Sequence, residues 1–208
     1  MRTNLLPLFA FVLVGCSGVE PDFLYTNAQA TQVNNQIAEL TSKPIQKYLA
    51  GVELSPADRA SLEKALPLID QIIEFDPITI NSYSLKGKIH RALGQVNLAK
   101  EAFYDGIARS APLNNPDDTL IRSDLYLELA QINYEEQNFS AAQIAIETSL
   151  KIDDESPAAH VLRARLYVRE NKKQLANDHV LKALLLNAEY EPARVLFTEL
   201  NVPRAASP

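Results

Sequence analysis

Residues 123–154 read SDLYLELAQINYEEQNFSAAQIAIETSLKIDD, and residues 157–188 read PAAHVLRARLYVRENKKQLANDHVLKALLLNA. A shift of 34 residues lays the first stretch on the second, placing Ala130 on Ala164, Ile132 on Leu166 and Ala142 on Ala176. The same shift places Leu150 on Leu184, Ile152 on Leu186 and Asp153 on Asn187. A fixed period of this length, in which small and apolar residues recur, marks a stacked helical hairpin. The chain is therefore expected to be all-α, an α-solenoid of hairpins.

The period extends outward from this pair. Upstream, a copy from Ile80 to Ala111 carries Tyr83, Gly87, Gly94, Ala99, Phe103 and Ile107. Tyr83 and Tyr126 are 43 residues apart, so nine residues are inserted between these copies. Pro112, Asn114, Asn115 and Pro116 place the insertion in a loop over Ala111–Leu120. Further upstream, Ala65, Ile69 and Ile73 stand 34 residues before Ala99, Phe103 and Ile107. This partial copy has a second helix only, opened by Ser55-Pro56-Ala57-Asp58 as cap, first turn and carboxylate, and running to Phe75 through Pro67. Before it, Ala30, Val33, Ile37 and Leu40 form the apolar stripe of a helix over Asn27–Leu40, with an end at Ser42-Lys43-Pro44 and a short piece from Pro44 to Ala50. That first helix is expected to stand in for the missing half of the partial copy. Downstream, Glu191-Pro192-Ala193 opens a terminal helix whose Val195, Leu196 and Phe197 suit a cap on the stack. The organisation is then 27–59 as an N-terminal helical region, 60–190 as repeats (one partial, three full), 191–200 as a capping helix and 201–208 as a tail.

Composition agrees. Six Gly in 208 residues, no Trp, and an abundance of Ala, Leu, Ile, Gln and Glu favour helices. The net charge of -6 repels a phosphate backbone, which argues against nucleic acid as a partner.

The chain starts with one positive charge, at Arg2, followed by an apolar run from Leu5 to Val14. About ten apolar residues fall short of the ~20 that a spanning helix needs, and the pattern is that of an export signal. The run ends Leu13-Val14-Gly15-Cys16, and Cys16 is the only cysteine. This resembles the lipobox of bacterial lipoproteins. The resemblance implies a signal peptide over 1–15, removed before a Cys16 that carries a diacylglyceryl group and an acylated amino terminus. It also implies a tether over 16–26 and a lipid anchor on the periplasmic side of the cell envelope. Ser17, where an Asp would signal inner-membrane retention in enterobacterial lipoproteins, favours the outer membrane.

The repeats resemble the tetratricopeptide repeat (TPR). Leu129-Ala130, Phe139, Ala142 and Leu150 match its pattern, as do Gly87, Gly94, Ala99, Phe103 and the closing Asp76-Pro77. His90 and His160 stand where the family has aromatic residues, and Arg163 replaces a Leu. The resemblance implies a protein partner held in a groove lined by the first helix of each hairpin. By register that groove holds Ser84, Lys88 and Arg91, then Leu127, Glu128, Gln131, Tyr134 and Glu135, then Val161, Leu162, Arg165 and Arg169. Lys88, Arg91, Arg165 and Arg169 give it a basic character suited to an acidic extended segment, with Gln131 and Tyr134 between them.

No catalytic constellation is legible. His90, His160 and His179 are scattered along the sequence, with no His-Glu-x-x-His pattern, no phosphate-binding glycine loop and no Gly-x-Ser-x-Gly elbow. Asp153-Asp154-Glu155 precedes Ser156-Pro157 and reads as helix capping rather than a cation site. The expectation is a protein without catalytic residues, metal or cofactor. It would act as an envelope scaffold or adaptor, for instance an assembly factor of a pilus or secretion complex. The other readings are an accessory subunit of a cell-wall enzyme and a self-associating structural lipoprotein. The anchor is checked by fractionation: Cys16→Ser is expected to move the protein from the membrane to the soluble fraction, and continued membrane retention contradicts it.

Overall fold

The computed structural model describes residues 27–110 and 116–201. The lipobox with Cys16, the tether over 16–26 and residues 202–208 lie outside the described residues, as do 111–115 of the expected loop. Among the described residues are nine α-helices and no strand. They are α1 (Asn27–Leu49), α2 (Pro56–Phe75), α3 (Ile80–Ala92), α4 (Val96–Ser110), α5 (Pro116–Glu135), α6 (Phe139–Ile152), α7 (Pro157–Arg169), α8 (Lys173–Leu186) and α9 (Glu191–Asn201). No helix among them is long and apolar enough to cross a membrane.

Four hairpins, α1–α2, α3–α4, α5–α6 and α7–α8, follow one another, and α9 packs on α7 and α8. The second helix of each hairpin touches the first helix of the next. The period seen in the sequence is also a period of the backbone. Gly94 (φ 78°), Gln137 (φ 62°) and Asn171 (φ 57°) each end a first helix in the left-handed conformation. In each case the amide of that residue donates to the carbonyl three residues back, and the next amide donates to the carbonyl five back. This double closure satisfies carbonyls that the helix end would leave open.

Gly51 (φ 70°) ends α1 in the same way, its amide donating to Tyr48 and that of Val52 to Lys47. α1 is thus the first helix of the first hairpin, as anticipated, but its shape differs from the expectation. It does not end at Ser42-Lys43-Pro44; a single helix runs from Asn27 to Leu49 with Pro44 inside it. The buried residues Ala30, Val33, Ile37, Thr41 and Pro44 form one stripe that continues through the proline. Burial on both sides of Pro44 offsets its missing amide. By turn register Pro44 falls where Gly87, Ala130 and Ala164 fall in later hairpins, and it is buried as they are.

The first turn is longer than the others and is fixed by charge. Ser55 caps α2 in a capping box with Asp58. The Lys47 ammonium of α1 donates to the Asp58 carboxylate at 2.7 Å, and the Ser55 hydroxyl donates to it at 2.6 Å. These hydrogen bonds, that of Lys47 foremost, hold the Asp58 carboxyl down at about 2. α2 continues through Pro67 to Phe75.

The inserted segment also departs from the expectation. Residues 116–120 are not loop; they form the first turn of α5, which starts at Pro116. Proline suits a first helical position, and Asp118 suits the positive end of the dipole. Asn201, assigned to the tail, closes α9, where its side-chain amide donates to the Phe197 carbonyl.

The core runs through the stack in three connected clusters. One joins α1, α2 and α3, a second joins α3 through α7, and a third joins α7, α8 and α9. α7 serves two of them, with Leu162 and Leu166 in the second cluster and Val161 and Ala164 in the third. The tightest crossing is in the second hairpin. Phe103 is fully buried, and a Cβ placed on Gly87 would lie inside its ring. Gly87→Ala is therefore expected to cost about 1–3 kcal/mol of stability through overpacking. Adding Phe103→Leu should recover part of that loss in a double-mutant cycle followed by urea denaturation. Strict additivity of the two changes contradicts the crossing as the source.

Candidate functional site

The first helices α3, α5 and α7 place their side chains in a repeated pattern. Tyr83, Gly87, Leu129, Ala130, Ala164 and the like turn inward to the second helices and are buried. What remains is a face shared by neighbouring first helices, because helix positions three and four apart project together. Of the groove positions named from the register, Gln131, Glu135, Arg165 and Arg169 are exposed on it and Lys88, Arg91, Leu127, Glu128 and Tyr134 are partly so, whereas Ser84, Val161 and Leu162 are buried, the last two in the core clusters.

The structure spends Arg91 of α3 on α5. One guanidinium nitrogen of Arg91 donates to Glu128 at 2.5 Å and the other to Glu135 at 2.6 Å. The Arg91 side chain is only 10% exposed. Burial alone would lower its pKa, but Glu128, Tyr48 of α1 and Glu135 together raise it. Lys88, half-buried, faces Asp124. Desolvation pushes the Asp124 carboxyl up, although the residue keeps an exposed edge, and Lys88 acts against that shift. Arg91 thus ties the second hairpin to the third.

α7 is different. Arg165 and Arg169 are exposed, and among the described residues neither makes a salt bridge. The Arg169 guanidinium lies 3.3 Å over the ring of Phe139, and Tyr134 meets that ring edge-on at 5.6 Å between centroids. A cation on the face of an aromatic ring is attracted by the ring quadrupole and keeps its charge available. Gln131, one turn before Tyr134, is exposed. The structure therefore brings Tyr134, Phe139 and Arg169 together and leaves Arg165 on the same helix. It does not gather the four cations as one free set. Phe139, on the second helix of its hairpin, was matched as a packing residue, and its contact with Arg169 had no signal in a register confined to first helices.

One cluster lies outside the register reading altogether. His160 and His179, apart in sequence, meet with their Nδ1 atoms 2.9 Å apart in the α7–α8 hairpin. Sequence position did carry a signal: the 34-residue period sets 160 and 179 across from each other, as it sets Tyr126 across from Ala145. Asp154, next to them, uses its backbone carbonyl to accept from His160 Nε2 at 2.9 Å. Ser156 caps α7, accepting from the Ala159 amide. Among the described residues no three His, Cys, Asp or Glu side chains converge to hold a metal ion.

No family sequence model matches this chain, and no curated protein matches it either. Solved structures do. A chain of the APC/C hetero-tetramer Cut9–Hcn1 superposes with a TM-score of 0.61 over 84% of this chain at 11% identity; the match spans 33% of that longer chain. A thermophilic TPR protein of Thermus thermophilus gives a TM-score of 0.52 at 18% identity, covering 79% of this chain and 80% of that one. MamA gives 0.51 at 15% identity, covering 79% and 88%. The fold is a TPR solenoid. Pro44 at the first crossing and the elongated α5 are this solenoid's own variations.

Since Arg91 closes two carboxylates between hairpins, Arg91→Met is expected to destabilise the solenoid by about 2 kcal/mol through the stranded Glu128. Glu135→Gln, at a carboxylate more than half exposed, should cost under about 0.5 kcal/mol. Equal losses in thermal melts of the two variants contradict this assignment.

Proposed function

We propose that this chain is a lipid-anchored adaptor without catalysis of its own, which holds an extended acidic segment of a partner protein against the face of α5 and α7. The reading is carried by one observation: two guanidinium groups of α7, Arg165 and Arg169, stand exposed without a salt bridge, and that of Arg169 lies over Phe139 with Tyr134 at the edge of the same ring. On α3 the chain itself neutralises Arg91, so the attraction is strongest at α7. A carboxylate engages Arg165 by a charge-assisted hydrogen bond, and an apolar side chain of the same segment lies along Tyr134. The TPR fold supports a role in protein association, and the Cut9–Hcn1 match is to a chain found within a hetero-tetramer.

The lipobox supports a place on the periplasmic side of the bacterial envelope, with the outer membrane favoured by Ser17. There the adaptor serves the assembly of a larger envelope machine such as a pilus or secretion complex. Two or more acyl chains on Cys16 give stable anchoring where one chain is marginal.

The test is crosslinking in the intact envelope, with the partner identified by mass spectrometry and the capture repeated for Arg165→Glu with Arg169→Glu. The double variant is expected to lose the partner while its helical circular dichroism is unchanged. Undiminished recovery overturns the site.

A further inference from the structure

The α7–α8 hairpin contains a proton-sharing pair whose geometry keeps its bond when one proton is added and loses it when a second is. His160 is buried, and its Nε2 donates to the Asp154 carbonyl at 2.9 Å, which fixes the proton on that nitrogen. Its Nδ1 is therefore an acceptor in the neutral ring, and His179 Nδ1–H must donate into it across 2.9 Å. The nitrogen left without a proton is Nε2 of His179. A first added proton goes there, or the bond reverses and His160 carries the charge; either way one N–H···N bond survives. A second proton places N–H against N–H and removes the bond.

The surroundings oppose positive charge. Tyr167 of α7 lies against the His179 ring at 5.5 Å, and the Arg163 guanidinium lies 4.3 Å over the Tyr167 ring. Arg163 donates from one nitrogen to Glu147 of α6 at 2.8 Å, while its other terminal nitrogen is buried without a partner. Glu147 is thus already engaged. Lys172, at the entrance to α8, adds a cation 5.9 Å from the Tyr167 ring. Asp178 of α8 is the carboxylate that favours charge on His179.

We infer that the His160–His179 pair is an acid-sensitive latch, which holds α7 against α8 at neutral pH and loosens this hairpin on acidification. The consequence for the surface follows from α7 itself. The helix that carries His160 on its inner side carries Arg165 and Arg169 on its outer side, so loosening it unmakes the edge of the proposed binding face. That last step rests on the adaptor reading; the latch does not.

Burial, then the charges of His160 and Arg163, push the His179 imidazole down to about 4 from its ordinary 6.5. A base whose folded pKa is lowered binds its proton more readily when unfolded. Its contribution to stability is complete above about 6.5 and is lost as pH falls from there toward 4. The ring is only half-buried, so solvent reduces the effect to roughly a tenfold shift in the local opening equilibrium at pH 4.5.

Hydrogen exchange of the full chain, corrected for the intrinsic rate at each pH, tests the latch between pH 7.5 and 4.5. The amides of α7 and α8 are expected to lose roughly tenfold more protection than those of α3 and α4. His179→Gln, which cannot be charged, should abolish the difference. Uniform loss over all hairpins, or a difference that persists in His179→Gln, overturns the inference. Should that variant fold poorly, the wild-type imidazole is titrated by nuclear magnetic resonance; a His179 midpoint at or above 6.5 overturns it equally. Neither readout requires a partner, so failure of the adaptor reading leaves the latch to stand or fall separately.

Discussion

The solenoid depends on how closely two helices of one hairpin approach. At Gly87 the missing side chain is occupied by the ring of Phe103, and no room remains for a single methyl group. In the third and fourth hairpins the crossing residue is a small, fully buried alanine, Ala130 and Ala164. Close crossings bring the second helix near enough to present its far side to the next hairpin. Every later contact in the stack follows from that spacing, because interiors pack at crystal-like density and do not stretch. Gly106 repeats the constraint one layer on, since a Cβ there would meet Tyr83 and Leu125. The glycines that matter to the packing of this chain are therefore on the contact line between helices, whereas Gly51 and Gly94 serve the backbone of turns.

Charge works at a second level, within the first hairpin and between the later ones. Asp58 with Lys47 closes the long first turn, and Arg91 with Glu128 and Glu135 ties the second hairpin to the third. Arg163 with Glu147 joins the third to the fourth. These links have a common form, a long basic side chain reaching from one element to a carboxylate on the next. Surface ion pairs contribute little, but Arg91 and Arg163 are each about 10% exposed, so their positions are held by geometry. A helix face that looks like a basic ligand site in the sequence is partly a set of internal ties.

Period and turn chemistry were open to sequence reading because each is local. The 34-residue shift, the helix starts at Ser55-Pro56 and Ser156-Pro157, and the capping role of the last helix all depend on neighbours along the chain. The misread parts depend on neighbours across it. Pro44 and Lys43 carry a strong local signal for a helix end, and only the apolar stripe continuing on both sides, buried by α2, keeps α1 whole. Residues 116–120 read as loop from Pro116 and the preceding Pro112, Asn114 and Asn115, yet Pro116 followed by two aspartates is as good a helix start as it is a turn. The four groove cations were visible by position. Which of them were already paired was not, because the partners of Arg91 sit 37 and 44 residues away.

α7 carries more polar substitutions than its place in the stack requires. It packs on two sides, against the core of the third hairpin through Leu162 and Leu166 and against α8 and α9 through Val161 and Ala164. A helix buried on two sides gains most from apolar residues, yet it contains His160 and Arg163 at buried positions. Such groups stay inside a core only with hydrogen-bond partners, and each that lacks one costs stability. His160 is satisfied on both ring nitrogens, and Arg163 on one terminal nitrogen but not the other. The fourth hairpin thus draws part of its cohesion from polar groups, as the second does from Ser84 and His90, which are buried beside Ile89, Ala99 and Phe103. Since the exposed arginines of α7 sit on this same helix, the most ligand-like surface of the solenoid is mounted on its most condition-dependent hairpin. Rigid packing at Gly87 and polar packing at His160 are thus two settings of one repeat, the first suited to framework and the second to response.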